Sequence, residues 1–485
     1  MDRLIIGLAI LGLYMALGTT IAVLSRRRLE SGEKSFYVAH GKLGSFLSAM
    51  TYAATTYSSF MIIGLVGFAY STGPGALGFE LVYLIATMGL LVIFSKSVWR
   101  MSRERGWISP GEMLADIYGS RWVAVAASLI YLISLIPYAS SQLKGIGEAI
   151  AGMAGNRDYY FLGVILGIAV MILWSLVAGI WSVASTDALQ GVWMLLAGTL
   201  LLVWLISGLH NSGVSLVDAF RVLQQNGVSG PGSFWTPGIF LAFTLPWMFF
   251  AVTNPQVVQR LYMPGDERAL RNMVRWFSVF GLYYTVLVVL IGLLARAGYE
   301  TGVLNINVDP SNPAQRDLVT PSLLYIANPI LASIVFTSII AASVSTADSI
   351  LLTLSSSVSR DLGAGRRAGI VSIIIVGVVL ALVAAARIQY IVLLSVLSSL
   401  MLLSLAPPTI AGWLGARGRP GIIIMAMSVG VLFVSAGIVV EVLSGSPLGV
   451  AVKKVFVSTP LGVPISMLIL ATSTVLTILS VALRR

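Results

Sequence analysis

The stretch from Ala341 to Asp361 reads AASVSTADSILLTLSSSVSRD and follows an apolar run, Ile330 to Ile340, that carries no charge. The run predicts a helix inside a bilayer, yet Ser343, Ser345, Thr346, Asp348, Ser349, Thr353 and Ser355 to Ser357 lie on its continuation. A carboxylate near a bilayer centre costs at least about 2.5 kcal/mol and usually marks an ion or substrate pathway. Hydroxyls alone are common where membrane helices pack. Ser345, Thr346, Asp348 and Ser349 differ, because they span about one helical turn and put Ser345 on the same face as Asp348 and Ser349. Clustered oxygens in a low-dielectric site suit a small, hard cation, and we prefer that reading to packing alone.

Other polar residues sit at depth in apolar runs. Thr51, Thr55, Thr56, Ser58 and Ser59 fall mid-way along the run 44–72, where Thr weakens a helix and competes for its backbone. Unwinding there frees carbonyls, which is tolerable only beside a cavity or an ion. Pro246 predicts a kink in the run 237–258, and Asn254-Pro255 follows near its end. Gln142 and Lys144 lie within the run 122–153, where Lys144 either pairs with Glu148 at i,i+4 or meets an anionic solute group. Ser58, Ser59, Gln142, Lys144 and Trp247 are the candidate solute contacts. Glu80 reads as an interfacial residue near the outer edge. Asp187, after Ser185 and Thr186, either caps the run 185–208 or belongs to a cation site.

These residues need a membrane bundle to position them. Of the 485 residues 57% are hydrophobic and 10% charged, and the mean hydropathy is +0.93. Soluble domains carry about 25% charge. The expectation is an all-α, polytopic protein of the cell membrane, one transporter domain of thirteen spans: 3–25, 44–72, 75–98, 122–153, 160–182, 185–208, 237–258, 275–296, 321–358, 369–387, 389–414, 420–443 and 460–483. The first run reads as a retained helix, not a cleaved leader. With Met1 outside, most of the 30 basic residues, from Arg26-Arg27-Arg28 to Arg484 and Arg485 and including Arg260, fall on the cytoplasmic side. That sorting explains the net charge of +11 without nucleic acid. There is no cysteine, and His40 and His210 lie apart at membrane edges, which leaves little for a thiolate or histidine centre. No polar domain interrupts the runs, so an enzyme is not expected, nor an organic cofactor or obligatory protein partner. Two interrupted helices at the heads of spans 2–6 and 7–11 match an inverted five-plus-five repeat. Residues 1–43 then form a first helix and basic loop, 44–208 and 237–414 the two repeats, and 420–485 two final helices.

Four stretches together resemble the sodium/solute symporter family of proline, pantothenate, sialic acid and sodium/glucose transporters. They are Ser345-Thr346-Ala347-Asp348-Ser349 with Ser355-Ser356 and Arg360-Asp361, Ala178-Gly179 with Ser185-Thr186-Asp187 and Gln190, Ala49 to Gly67, and Asn254 to Arg260. The resemblance implies a LeuT-type fold and Na⁺-coupled symport of a small polar solute, a carboxylate or amino acid being favoured. It implies a central Na⁺ site of the Ala54, Tyr57 and Ala342 carbonyls with the Ser345 and Thr346 hydroxyls. A second cation or a proton would fall on Asp187, Ser345, Asp348 and Ser349. Two departures stand out: sialic acid transporters have Ser where this chain has Asp348, and proline transporters have Asp where it has Thr56. Rival readings are proton coupling through Asp187 and Asp348, a solute sensor, and an intramembrane aspartyl protease. The contexts Ser-Thr-Asp and Thr-Ala-Asp disfavour the protease, and the absence of an output domain after the last span disfavours the sensor.

Overall fold

The computed structural model describes residues 2–230 and 232–484, so Met1 and Arg485, used above in the charge sorting, lie outside the described residues. Among these residues there is no β-strand, only one isolated bridge between Leu43 and Pro264. Eleven helices are long and apolar enough to cross a membrane, or twelve if one bent pair is a single span. The helices that position the site are α1 (Asp2–Ser25), α2 (Ser45–Thr56), α3 (Phe60–Thr72), α4 (Gly75–Arg105), α5 (Arg121–Ala154), α6 (Ile180–Asn211), α7 (Pro237–Met248), α8 (Pro255–Arg260), α9 (Glu267–Glu300), α10 (Pro329–Ser356) and α11 (Ile391–Leu402).

Burial sorts these helices. In its apolar window α10 has 83% of residues buried, against 17% for α1. A helix enclosed on all sides is a core element even though its composition reads as a span. Its start is fixed locally: Asn328 accepts the Leu331 N–H at 2.9 Å, and Pro329 takes the first helical position.

The expected interruption in the second run falls at Tyr57 and Ser58, and α2 and α3 meet there at 47°. The last helical bond of α2 runs from Tyr57 N to Ala53 O at 2.8 Å, and Tyr57 then turns extended (φ −94°, ψ 114°). Thr56 bonds back to Tyr52 O at 2.7 Å, the competition that Thr was expected to offer. Beyond the break, α3 opens as a π-helix over Phe60–Leu65. The seventh run is also broken, but not at Pro246. Its helix continues through the proline to Met248, breaks at Phe249, and stops again at Asn254, which the following Pro255 holds extended (φ −85°, ψ 112°).

Candidate cation and solute site

The break in α2 lies against the middle of α10. Ser345 Oγ donates to Ala54 O at 2.8 Å and to Ala342 O at 3.0 Å, and Thr346 Oγ1 approaches Ala54 O at 3.3 Å and Thr55 O at 3.1 Å. Carbonyls freed by the ending helix therefore converge with two buried hydroxyls, giving a wholly neutral oxygen set. Of the five atoms expected there, those of Ala54, Ala342, Ser345 and Thr346 come together in these bonds. Thr55 O joins them, which the sequence reading did not include. Tyr57 lies at the break, its ring stacked on Phe280 at 5.6 Å.

One turn along α10 the site becomes charged. Asp187 of α6 and Asp348 of α10 are fully buried, and Asp187 Oδ1 and both oxygens of Asp348 have no hydrogen-bond partner. Thr51 Oγ1 donates to Asp187 Oδ2 at 2.6 Å. Arg260, assigned above to a cytoplasmic loop, is instead only 1% exposed at the end of α8. Its Nη2 donates to Ser349 Oγ and lies 4.0 Å from Asp187 Oδ2, while Nε reaches Thr51 Oγ1 at 3.3 Å. The bend at Asn254 turns α8 inward and brings the arginine into the core, which a count of basic residues per loop does not register. Asp187 is thus part of a three-residue charged cluster rather than a simple helix cap.

On the other side of the break, Ser59 donates to Gln142 Oε1 through its hydroxyl at 2.7 Å and its N–H at 3.2 Å. Gly145 permits this approach, since a Cβ there would meet Ser59 Cβ at 2.7 Å. Ser58 Oγ accepts from Phe60 N at 3.1 Å. Trp247 packs among the tilted rings of Phe60, Tyr83 and Phe250 at centroid distances of 5.0, 5.6 and 5.1 Å, with its indole N–H unpartnered. Glu80 corrects the interfacial reading: it is 1% exposed, Oε2 has no partner, and Trp247 stands beside it. A position five residues into α4 looks like a membrane edge in the sequence, but Glu80 is buried there beside Trp247 of α7.

Lys144 neither pairs with Glu148 nor stands free. Its Nζ donates to Asp317 and, at 2.9 Å, to Gln389 O, while Asp317 Oδ2 accepts the Ile391 N–H at 3.0 Å. The pair ties α5 and α11 to the segment after Pro313. The adjacent Arg316 guanidinium lies 5.1 Å from the Phe68 and Phe234 rings and 5.3 Å from Tyr390. Gly67 of α3 packs under this segment so closely that a Cβ would sit 1.9 Å from Arg316 O, and Thr320 Oγ1 donates to Ile62 O at 2.6 Å. At the opposite end Gln259 Nε2 donates to Ile108 O at 2.8 Å and Ser356 Oγ at 3.1 Å, and Asp361 accepts from Ser109 and Ser128. Arg360 bridges Glu33 and Glu112 there. The polar cluster therefore has a tied segment at either end.

A helical membrane bundle with a broken helix facing a hydroxyl-lined core helix is the architecture of a transporter. The model of the Sodium:solute symporter family matches residues 36–412, so the chain belongs to that family, a family of multi-pass membrane transporters and not of enzymes. Over 356 residues it is 24% identical to the sodium/pantothenate symporter of Escherichia coli (strain K12), covering 72% of this chain and 70% of that protein. Over 343 residues it is 25% identical to the sodium/proline symporter of Staphylococcus aureus, covering 68% of this chain and 63% of that one, just under two thirds of its length. Among solved structures it resembles a Na⁺-coupled sialic acid symporter in a substrate-bound, outward-open state, with a TM-score of 0.74 at 17% identity over 98% of both chains. It also resembles a closed nucleobase-cation-symport-1 family transporter with bromovinylhydantoin bound, with a TM-score of 0.54 at 15% identity over 94% of this chain and 95% of that one.

Proposed function

We propose that this chain couples the inward movement of Na⁺ to that of a small polar solute by alternating access. The observation that carries the reading is the junction of Ser345 and Thr346 with the freed carbonyls of Ala54 and Thr55. Six neutral oxygens, counting the carbonyls of Tyr57 and Ala342 with these four, suit Na⁺, whereas a proton would want a titratable group. An ion held there ties α2 to α10, and separating the two helices releases it. Counting α2 with α3 as one span and the broken stretch 237–258 as another gives thirteen spans. The basic ends near Arg105, Arg121, Arg268 and Arg360 then face the cytoplasm, and the Lys144–Asp317 end faces outward. Repeats 44–208 and 237–414 carry the two broken helices at their heads, with 1–43 and 420–485 peripheral.

Ser58, Ser59, Gln142 and Trp247 are the solute contacts in this reading, and Glu80 is added to them. Lys144 is already matched by Asp317 and reaches a solute only by leaving it, whereas the Glu80 carboxylate is unpaired and faced by aromatic rings. Aromatic faces beside a carboxylate recognise an ammonium group, so the solute is an amino acid or another amine-bearing molecule. A second reading, proton coupling through Asp187 and Asp348, draws on the two unpartnered oxygens of Asp348; Ser349 and Ser345 would then serve a proton or second cation rather than the central ion. Uptake into proteoliposomes of a labelled panel (amino acids, amines, monocarboxylates, sugars, pantothenate) under an inward Na⁺ gradient or an inward proton gradient separates them. Na⁺-driven uptake of an amine-bearing solute is expected. Uptake driven by protons and indifferent to Na⁺ would refute the proposal.

A further inference from the structure

We propose that the crevice around Arg316 is a binding site for a small carboxylate anion, held between Arg316 and Lys453 and separate from the Na⁺ and solute contacts above. The crevice, of about 320 Å³, is lined by Arg316, Tyr390, Ser71, Thr72 and Lys453 among others. Arg316 is 6% exposed, its Nε is buried without a partner, and no carboxylate lies within ion-pair distance of it among the described residues. A buried cation is costly unless it is paired and hydrogen-bonded, and the neighbouring acids are already committed. Asp317, next in the chain, serves Lys144 and the Ile391 N–H. Asp309, beside Pro310 at the crevice wall, accepts from the Ser311 N–H at 2.9 Å and from Ser311 Oγ at 2.7 Å. The rings of Phe68, Phe234 and Tyr390 offset part of the charge, but the N–H donors lie in the guanidinium plane and call for oxygen acceptors.

The crevice supplies the rest of an anion site. Lys453 is exposed at its edge with no acidic partner among the described residues, its neighbour Lys454 having taken Glu441 at 2.9 Å. Ser71 Oγ is buried in the wall without a partner, and the Tyr390 hydroxyl stands beside the guanidinium. Two cations and two hydroxyls with no free carboxylate attract negative charge and repel a metal ion or an amine. The guanidinium fork matches the two oxygens of a carboxylate, which a single-atom halide does not offer. Arg316 is also fixed in place before any anion arrives, because Gly67 of α3 packs under its carbonyl, so little ordering is left to oppose binding. An anion here bridges the segment Pro313–Leu318 to the short helix Leu448–Phe456. Lys453 lies past residue 412, so one of the two cations comes from beyond the stretch that the family model matches.

The test uses the purified full chain carrying Thr72→Cys, which places the only thiol of the chain in the crevice wall. Its labelling by N-ethylmaleimide is timed in sodium HEPES against increasing sodium acetate, sodium chloride or alanine, at constant Na⁺ and ionic strength. Acetate is expected to slow labelling in a saturable way. Arg316→Gln should abolish that protection, and Lys453→Gln should raise the acetate concentration needed about tenfold. Protection by alanine as well as acetate assigns the carboxylate of an amino-acid solute, and protection by acetate alone assigns a free monocarboxylate. No protection by acetate, protection by chloride at the same concentrations, or full protection surviving in Arg316→Gln would overturn the proposal. If Arg316→Gln does not fold, the exposed Lys453→Gln decides, because unchanged acetate protection there also overturns it. None of these readouts depends on the Na⁺ site, so the two readings fail separately.

Discussion

Asp317→Asn is the substitution whose consequence the structure defines most fully. It removes the charge that matches buried Lys144, with side chains 8% and 2% exposed. Taking one partner from a buried pair costs about 3–5 kcal/mol, because the other charge is left uncompensated. Two features place this case at the low end: Lys144 keeps Gln389 O, and an asparagine keeps an acceptor for the Ile391 N–H. A loss of about 3 kcal/mol in this arrangement, in which the pair is formed, shifts its balance with one in which the pair is broken by about a hundredfold. The chain has no cysteine, so Thr72→Cys supplies a sole reactive thiol. Thr72 is 6% exposed in a crevice of about 320 Å³ shared with Arg316 and Tyr390. Labelling by an impermeant maleimide from the outer side should accelerate sharply in Asp317→Asn, and the melting temperature should fall. The double variant Lys144→Met/Asp317→Leu, which leaves no orphan charge, should recover most of the stability. Equal melting of single and double variants, with labelling unchanged, would refute this role for the Lys144–Asp317 pair.

Three further outcomes follow from the same contacts. Gly67→Ala places a Cβ 1.9 Å from Arg316 O, and overpacking of this kind costs about 1–3 kcal/mol; it should lower the melting temperature and speed Thr72→Cys labelling. Glu80→Gln should raise the KM of an amine-bearing solute about tenfold or more with Na⁺ binding intact, measured by uptake beside ²²Na⁺ binding. Ser109→Ala removes one of two hydroxyls donating to Asp361 and leaves Ser128 at 2.7 Å; destabilisation of about 1–3 kcal/mol is expected as a lower melting temperature.

The sequence disclosed what depends on local pattern. Hydroxyls on α10 stood out because an apolar helix has no other use for so many, and the threonines before Tyr57 marked the α2 break because they compete for backbone bonds nearby. What it concealed depends on distance along the chain. Lys144 and Asp317 are 173 residues apart, so the i,i+4 neighbour Glu148 was the visible partner and the wrong one. Arg260 looked like one basic residue among many at a loop, and only the extended Asn254 turns it into the core. Glu80 lies near the start of its helix, and it is buried beside Trp247 of α7, which no feature of α4 announces. Pro246 was a sound signal of interruption, but the helix absorbs it and breaks three residues later.

The central claim is that Na⁺ binds where the α2 break meets Ser345 and Thr346. Its most direct test is the melting temperature of the purified chain against Na⁺ concentration, with K⁺ as control, for wild type and Thr346→Ala. A ligand at a hundred times its Kd stabilises by about 2.7 kcal/mol, so wild type should melt progressively higher in Na⁺ and not in K⁺, and Thr346→Ala should lose that rise. A wild type indifferent to Na⁺, or a Thr346→Ala variant stabilised by Na⁺ as fully as wild type, would contradict the account.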